Sequence, residues 1–329
     1  LVRDKALNEY VSGIVCKLAG SYCGDIRVYI VRMPYFNASM MPNGVMQVWT
    51  GLILRAKSEA QLATVLGHEI GHYLRRHSIQ RFRDVRDKSG FLAFFQLAAG
   101  AAGLPGVGDI ATLIALASIS SYSRDHEREA DRIGFKLMRD AGYDPREPAK
   151  VWGQLVREEE ADEDKEARSL FFASHPPPDE REKVLNELAE GALKKGPPGI
   201  KGVERYRKFT ASIRPNMLDD EMHLRRFARA QELLKILMED DENSGELYFY
   251  RGELYRLRGE DDDAEKAINA YKEALATGSA PARVYRSLGL IYRNTGKPVA
   301  ARDSFAKYLE LKPDAEDRLM VKSMMDRLG

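Results

Sequence analysis

The first fifty residues carry the pattern of short β-strands. Residues 26–32 (IRVYIVR) and 45–50 (VMQVWT) are β-branched or aromatic at most positions. Turn-forming residues bound both runs, namely Pro34, Pro42, Asn43 and Gly44. Because β-branched and aromatic side chains favour extended backbone while Pro and Gly interrupt it, we predict a small β-sheet here.

Helical spacing begins after these strands. Apolar residues recur at intervals of three and four over residues 52–79, and the effective start of this helix is expected near Ser58 or Lys57. A second helix is predicted over residues 123–140, because a glycine and then a proline follow it and end it in the usual way.

The longest apolar stretch, residues 91–120, is too interrupted to be a transmembrane helix. A helix needs about 20 unbroken apolar residues to span a bilayer, and a Gly-Pro-Gly cluster at residues 103–108 divides this stretch. We predict two buried helices joined by a turn. The alternative is an apolar flap over residues 91–119 that covers a site or makes peripheral contact with a membrane.

Beyond a segment rich in Gly, Pro and Lys at residues 191–202, the pattern is helical and repeats itself. The two copies align Tyr248 with Tyr285, Gly252 with Gly289, Tyr255 with Tyr292, Gly259 with Gly296, Ala267 with Ala301, Tyr271 with Phe305 and Ala274 with Tyr308. A helix–turn–helix unit of about 34 residues with small residues at its packing points resembles the tetratricopeptide repeat. Stacked repeats form a concave surface, so a protein partner is expected to bind there.

The chain of 329 residues is long enough for two domains. We predict a mainly α domain with a small β-sheet over residues 1–195, a linker and connecting helix over 196–220, and an α-solenoid of repeats over 221–329. Charge is balanced, with 27 basic and 27 acidic residues before residue 200 and 24 and 23 from there on. Electrostatically driven nucleic-acid binding is therefore not expected.

Cysteine usage leaves the redox compartment open. Cys16 and Cys23 have six residues between them, a spacing that suits either a disulfide or two free thiols. The chain opens without a signal segment and also without Met, so its first residues do not decide the compartment.

The candidate chemistry lies in the first predicted helix, in the sequence His68-Glu69-Ile70-Gly71-His72. At 3.6 residues per turn, the two histidines lie on one face, so both imidazoles can bind one Zn²⁺. Glu69 projects beside them, where it can take a proton from the water that attacks a peptide bond. The spacing therefore predicts a catalytic zinc site.

A catalytic zinc site uses three protein ligands and keeps one position open. The best candidate for the third ligand is Glu127 in the second helix. Asp131 lies four residues later on the same face, where it can accept the far N–H of a ligand histidine. Nearby, His77 is expected to be structural because it lies about 140° round the helix from His72, and Glu129 is expected to be solvated.

Together these motifs are similar to those of the HtpX/BepA branch of zinc peptidases. The resemblance covers most of residues 35–185 and is carried by NASMMPNG (37–44), VWTGLI (48–53), HEIGH (68–72), YSRDHEREADRIG (122–134), AGYDP (141–145) and SHPPPDER (174–181). It implies a helix-rich zincin fold with a small β-sheet. A peptidase domain followed by tetratricopeptide repeats is also similar to the BepA-type periplasmic proteases.

The resemblance implies roles for single residues. The metal ligands would be His68, His72 and Glu127, with Glu69 as the catalytic base and Asp131 as the partner of a ligand histidine. Arg124 and Arg181 match family positions and could brace carboxylates. Substrate would bind in extended form to an edge strand formed by Val45, Met46, Gln47, Val48 and Trp49.

His175, in SHPPPDER, has either one of two site roles or no site role, as a plain loop histidine. In BepA-like proteins the histidine of this motif lies at the metal, and as a fourth ligand it would close the site and leave a latent centre. Alternatively it swings clear and donates a hydrogen bond to the tetrahedral intermediate.

The leading hypothesis is an endopeptidase with one Zn²⁺ per chain that cleaves protein or peptide substrates. The resemblance implies a role in quality control of outer-membrane proteins, in the periplasm or cell envelope, with the repeats recruiting substrate or partner. A chaperone or adaptor scaffold with a largely latent zinc site is the alternative function, and the cytoplasm is the alternative location.

Overall fold

The computed structural model describes residues 1–87, 121–162, 170–175 and 180–328. The chain divides into two compact units, Leu1–Glu160 with Asp164–Glu221, and Ala161–Glu163 with Met222–Gly329. Residues 196–220, predicted as a linker and connecting helix, belong to the first of these units. The apolar stretch 91–120 and its predicted membrane contact lie outside the described residues.

The first unit contains a three-stranded sheet. Strand β1 (Arg27–Val31) pairs in parallel with β3 (Val45–Trp49), and β2 (Ala38–Met40) pairs with β3 in antiparallel fashion, giving the order β1-β3-β2. The two predicted strands are therefore present. The prediction that Val45–Trp49 is an edge strand is wrong, because β1 and β2 occupy both of its sides.

The helices that lie wholly or mainly in the first unit are α1 (Lys5–Ala19), α2 (Thr50–Arg55), α3 (Glu59–Leu74), α4 (His77–Asp87), α5 (Arg124–Asp140), α6 (Glu147–Ala161), α7 (Leu170–Ser174), α8 (Arg181–Leu193), α9 (Val203–Thr210) and α10 (Arg214–His223). Ser58 and Ser123 cap α3 and α5, each accepting a backbone N–H with its hydroxyl. The helix predicted over residues 52–79 is thus three shorter helices.

Helices α3 and α5 are in close backbone contact, and this contact determines the geometry of the site. A Cβ added to Gly134 would lie 2.7 Å from the backbone nitrogen of His68, and one added to Gly71 would lie 3.0 Å from the carbonyl oxygen of Ala130. Only glycine permits such an approach. As a result, the histidines of α3 and the carboxylates of α5 are within reach of each other.

We expect Gly134→Ala to lower the free energy of unfolding by about 1–3 kcal/mol and to weaken metal binding, because the added methyl pushes α5 away from α3. The matched control is Gly13→Ala at an exposed position of helix α1, where the added Cβ meets no described atom within 4 Å. That change is expected to stabilise by up to about 1 kcal/mol. Urea unfolding of both variants measures the difference, and a Gly134→Ala protein as stable as the wild type would contradict it.

Residues 196–220 are folded onto the core of the first unit. Helix α9 contacts α1 and α3, the Tyr206 hydroxyl donates to the carbonyl oxygen of Ile53 at 2.5 Å, and the Phe209 ring stacks on Tyr10 with 4.4 Å between centroids. Near the start of the unit, Cys16 and Cys23 form a disulfide across the end of α1, with their Cα atoms 4.5 Å apart.

The second unit is helical and has the predicted repeat. Its helices are the end of α10 and then α11 (Phe227–Met238), α12 (Gly245–Arg258), α13 (Asp263–Ala276), α14 (Arg283–Asn294), α15 (Pro298–Leu311) and α16 (Arg318–Asp326). Gly252 lies against the ring of Tyr271, and the equivalent Gly289 lies against the ring of Phe305. Because equivalent positions make equivalent helix–helix contacts, the predicted fold class is confirmed.

Within the described part of the chain, no helix has both the length and the apolar character needed to cross a bilayer.

Candidate metal centre and its surroundings

Three side chains from α3 and α5 converge on one point in the first unit. The Nε2 atoms of His68 and His72 are 3.1 Å apart, as one turn of helix allows. Each lies 3.3 Å from a different carboxylate oxygen of Glu127, which α5 presents from the opposite side. All three side chains are buried.

His175 provides a fourth donor. It directly follows the short helix α7, and its ring stacks on Phe171 with 4.5 Å between centroids. Its Nδ1 lies 3.1 Å from Glu127 Oε1 and 3.4 Å from His68 Nε2. His68, His72, Glu127 and His175 therefore offer ligand atoms that all lie within 4.8 Å of one another.

These distances fit a tetrahedral metal ion. Zinc–nitrogen bonds of 2.0–2.1 Å place the donor atoms of a tetrahedral site about 3.3 Å apart, close to the 3.1–3.4 Å separations given above. Among the described residues, Glu127 Oε2 also lacks a hydrogen-bond donor, and a buried carboxylate oxygen without one is costly. The four residues can therefore hold a metal ion.

Glu69 follows His68 on α3 and is buried beside this group. It accepts a hydrogen bond from the backbone N–H of Met40 in β2, and its Oε1 lies 3.5 Å from His175 Nε2. Burial raises the pKa of Glu69, and the neighbouring His175 and His68 partly oppose that rise. Its carboxylate therefore lies next to both the ligand group and the sheet.

Asp131 and Arg181 support His68 from behind. Asp131 Oδ1 lies 2.9 Å from His68 Nδ1 and accepts a hydrogen bond of 2.6 Å from Arg181 Nη2. The guanidinium of Arg181 also lies 3.9 Å from the ring centroid of Trp152. Burial would raise the pKa of Asp131, but Arg181 and His68 outweigh burial and lower it.

The two arginines that match family positions are in different environments. Arg181 is buried against the ligand group, as described above. Arg124 is exposed at the start of α5, where Arg128 and, more weakly, Arg124 lower the pKa of the partly exposed Glu180. The structure therefore brings Arg181 to the site and leaves Arg124 at the surface.

Two further contacts on His72 were not expected from the sequence. The ring of Tyr122 stacks on His72 with 3.9 Å between centroids, and its backbone N–H donates to the carbonyl oxygen of Ser174, next to His175. His77 Nδ1 lies 3.0 Å from His72 Nδ1, and His77 Nε2 lies 3.0 Å from Glu129. Tyr122 lies in one of the motifs quoted above, but spacing alone gives it no role.

A cleft of about 420 Å³ opens beside His72. It is lined by Met40 of β2, by Tyr73 and Arg76 at and just after the end of α3, and by Tyr22 and Asp25 of the turn Gly20–Asp25 that follows α1. The cleft therefore places open space next to both the ligand group and the edge of the sheet.

Comparison with known proteins matches two parts of the chain to known families. Residues 2–189 match the Peptidase family M48, and residues 217–269 and 262–316 match the tetratricopeptide repeat. The first match contains His68, His72 and Glu127, and both resemblances predicted from the sequence are confirmed.

Several curated proteins are similar to the first part of the chain. The mitochondrial metalloendopeptidase OMA1 of Arabidopsis thaliana is 35% identical over 158 residues, which make up 48% of this chain and 30% of the relative. The putative beta-barrel assembly-enhancing protease of Vibrio cholerae is 29% identical over 188 residues, 54% of this chain and 36% of the relative. OMA1 of Schizosaccharomyces pombe is 32% identical over 194 residues, which make up 56% of this chain and 54% of the relative.

The chain spans only about a third to a half of the length of these relatives. The family match itself, however, covers more than half of the chain and contains the whole group of converging donors. The chain therefore belongs to peptidase family M48.

Proposed function

We propose that this protein is a zinc-dependent endopeptidase. The observation that carries the proposal is the convergence of His68, His72 and Glu127 from two helices, with Glu69 buried beside them. Two histidines and a glutamate are a ligand set of catalytic zinc sites in peptidases. The membership in family M48 supports the same activity.

The proposed chemistry needs one group to activate water and one to move protons. Zinc bound by the three ligands would polarise the scissile carbonyl and lower the pKa of the attacking water. Glu69 takes the proton of that water and passes it to the leaving amine, which is the usual work of a buried carboxylate next to a metal. Asp131 keeps the ring of His68 oriented by its hydrogen bond to Nδ1.

Strand β2 is our candidate for substrate binding. Asn37 and Met41, which flank β2, bond to β3 through their backbones: the Asn37 carbonyl oxygen accepts from the N–H of Trp49, and the Met41 N–H donates to the carbonyl oxygen of Val45. Successive residues of a strand direct their backbone N–H and C=O groups to opposite sides, so those of Ala38 and Met40 point away from β3. The N–H of Met40 accordingly donates to Glu69. A peptide added to this edge would pass directly beside the catalytic carboxylate.

Zinc content and casein cleavage test the proposal together. We expect one zinc per chain, cleavage of casein by the wild type, loss of cleavage on chelation and its return when zinc is added back. Absence of zinc from a protein purified without chelator would contradict the ligand assignment. Zinc without cleavage would point to a latent site.

The substrates and location that we propose are those of the cell envelope. Relatives in Vibrio cholerae and Yersinia pestis are named beta-barrel assembly-enhancing proteases, which supports quality control of outer-membrane proteins. The Cys16–Cys23 disulfide supports an oxidising compartment such as the periplasm over the cytoplasm. The tetratricopeptide repeats would recruit the protein substrate or a partner.

One observation favours the second candidate function, a scaffold with a largely latent zinc site. His175 Nδ1 lies at the position that a fourth ligand would take. With four protein ligands a zinc site has the closed character of structural sites. The two functions differ in whether His175 leaves that position.

We expect His175→Ala to raise casein cleavage about tenfold or more if His175 occupies the open position. If His175 is bound there in over about nine tenths of the molecules, fewer than about one tenth of them can take part in cleavage, and the substitution makes all of them available. The measurement is the rate of casein cleavage by the zinc-loaded wild type and by zinc-loaded His175→Ala. The matched control is Phe171→Leu, which removes the ring stacked on His175 but keeps the imidazole. A fall in activity of His175→Ala would contradict the role of a fourth ligand that closes the site and would favour the role of hydrogen-bond donor to the intermediate.

A further inference from the structure

His77 lies where α3 ends and α4 begins, and the backbone there is unusual. Arg76 has a φ of 57°, in the left-handed region that few residues other than glycine adopt. In an unbroken helix His77 would point about 140° away from His72. The left-handed residue redirects the chain, so that His77 Nδ1 lies 3.0 Å from His72 Nδ1.

The contact continues to a carboxylate. His77 is fully buried, and its Nε2 lies 3.0 Å from Glu129 Oε2. The other oxygen of Glu129 pairs with Arg75 Nε at 2.6 Å. Glu129 is thus paired with the two residues on either side of Arg76, although its side chain stays 38% exposed.

The protons in this chain of contacts have one consistent arrangement. His72 Nε2 faces the other donor atoms, so its lone pair is directed at the metal position and the proton of the ring is on Nδ1. That N–H donates to His77 Nδ1, and the N–H at His77 Nε2 then donates to the carboxylate of Glu129. Every ring nitrogen is satisfied with both histidines neutral.

We infer that His77 and Glu129 are positioning residues for the metal ligand His72, which rests on the proposed function. They fix the tautomer and the ring orientation of His72, as Asp131 does directly for His68. His77 is not itself a member of the ligand group found among the described residues. The two histidine ligands are thus held in different ways, one by a carboxylate and the other through a second imidazole.

His126 provides the contrast that a test needs. Its ring stacks on His77 with 4.2 Å between centroids, so it shares the same packing. Its Nδ1 has no hydrogen-bond partner among the described residues. Replacing His126 therefore disturbs the cluster without breaking the chain from His72 to Glu129.

The zinc dissociation constant, measured by competition with a chelator, tests this inference on the full chain. His77→Leu removes the acceptor for His72 Nδ1–H and is expected to weaken zinc binding about 10–100-fold. His77→Asn places an oxygen where Nδ1 was and is expected to recover most of that loss. Glu129→Gln is expected to lose less than His77→Leu, because its amide oxygen still accepts a hydrogen bond but carries no charge.

A purely structural role predicts a different result. His77→Leu would then lower the stability of the metal-free protein, as His126→Leu would, while both bound zinc as the wild type does. Equal zinc affinity of His77→Leu and wild type, or no recovery in His77→Asn, overturns the inference and leaves the proposed function intact. If the wild type itself binds no zinc, the proposed function fails and the inference fails with it.

Discussion

Glu69→Gln is expected to reduce casein cleavage by about 10²–10⁴-fold while the protein still binds one zinc per chain. The amide has nearly the same size as the carboxylate but cannot accept the proton of the attacking water. Glu69 is not among the residues that converge as metal ligands, so the ligand group should keep its geometry. Initial cleavage rates and zinc content of the same samples are the measurement.

The control for this substitution lies on the same helix. Glu59 is also buried, but Tyr10 and Tyr143 donate their hydroxyls to its two oxygens. Glu59→Gln should lower stability and leave cleavage unchanged at temperatures where the protein is folded. Cleavage by Glu69→Gln at the wild-type rate would exclude Glu69 as the base. Loss of zinc from this variant would show instead that Glu69 supports the ligand group.

The parts of this molecule that could be predicted from its sequence depend on fixed spacings. Within a helix, the interval of four residues places His68 above His72 and Glu127 above Asp131 whatever the rest of the chain does. The repeat is equally regular, since a small residue such as Gly252 must face a large ring such as Tyr271. Regular spacings of this kind can be recognised in a sequence without any knowledge of tertiary contacts.

The order of the strands could not be predicted in this way. Strand β3 has the stronger pattern, yet β2 occupies the edge with only three residues, Ala38 to Met40. Strand order depends on pairings between distant segments, and the hydrophobic pattern of one strand does not contain that information. The motif NASMMPNG marked the right region but not its place in the sheet.

The surroundings of His72 depend on a local conformation that has no sequence signal. Arg76 is left-handed without being glycine, so nothing in the sequence announces the end of α3. If α3 is continued through Arg76 as a regular helix, His77 points away from His72 and the sequence shows no partner for Glu129. Both contacts are therefore missed from the sequence for the same reason, which is the backbone angle of Arg76.

Arg181→Met is expected to lower the free energy of unfolding of the metal-free protein by about 3–5 kcal/mol. Arg181 and Asp131 are both nearly inaccessible, with side-chain exposures of 4% and 8%. Removing one partner leaves the other charge buried, and the face of Trp152 loses its cation as well. Denaturant unfolding followed by tryptophan fluorescence suits this test, since Trp49 and Trp152 are the only tryptophans and both lie in the first unit.

Arg124→Met is the matched control, because Arg124 also matches a family position but is exposed at the start of α5. Its effect should stay within about 0.5 kcal/mol. Asp131→Asn completes a double-mutant cycle, and the double variant should lose less than the sum of the two single losses, because the first substitution already breaks the pair. Equal losses for Arg181→Met and Arg124→Met, or simple additivity in the cycle, would mean that the ion pair behind His68 does not stabilise the site.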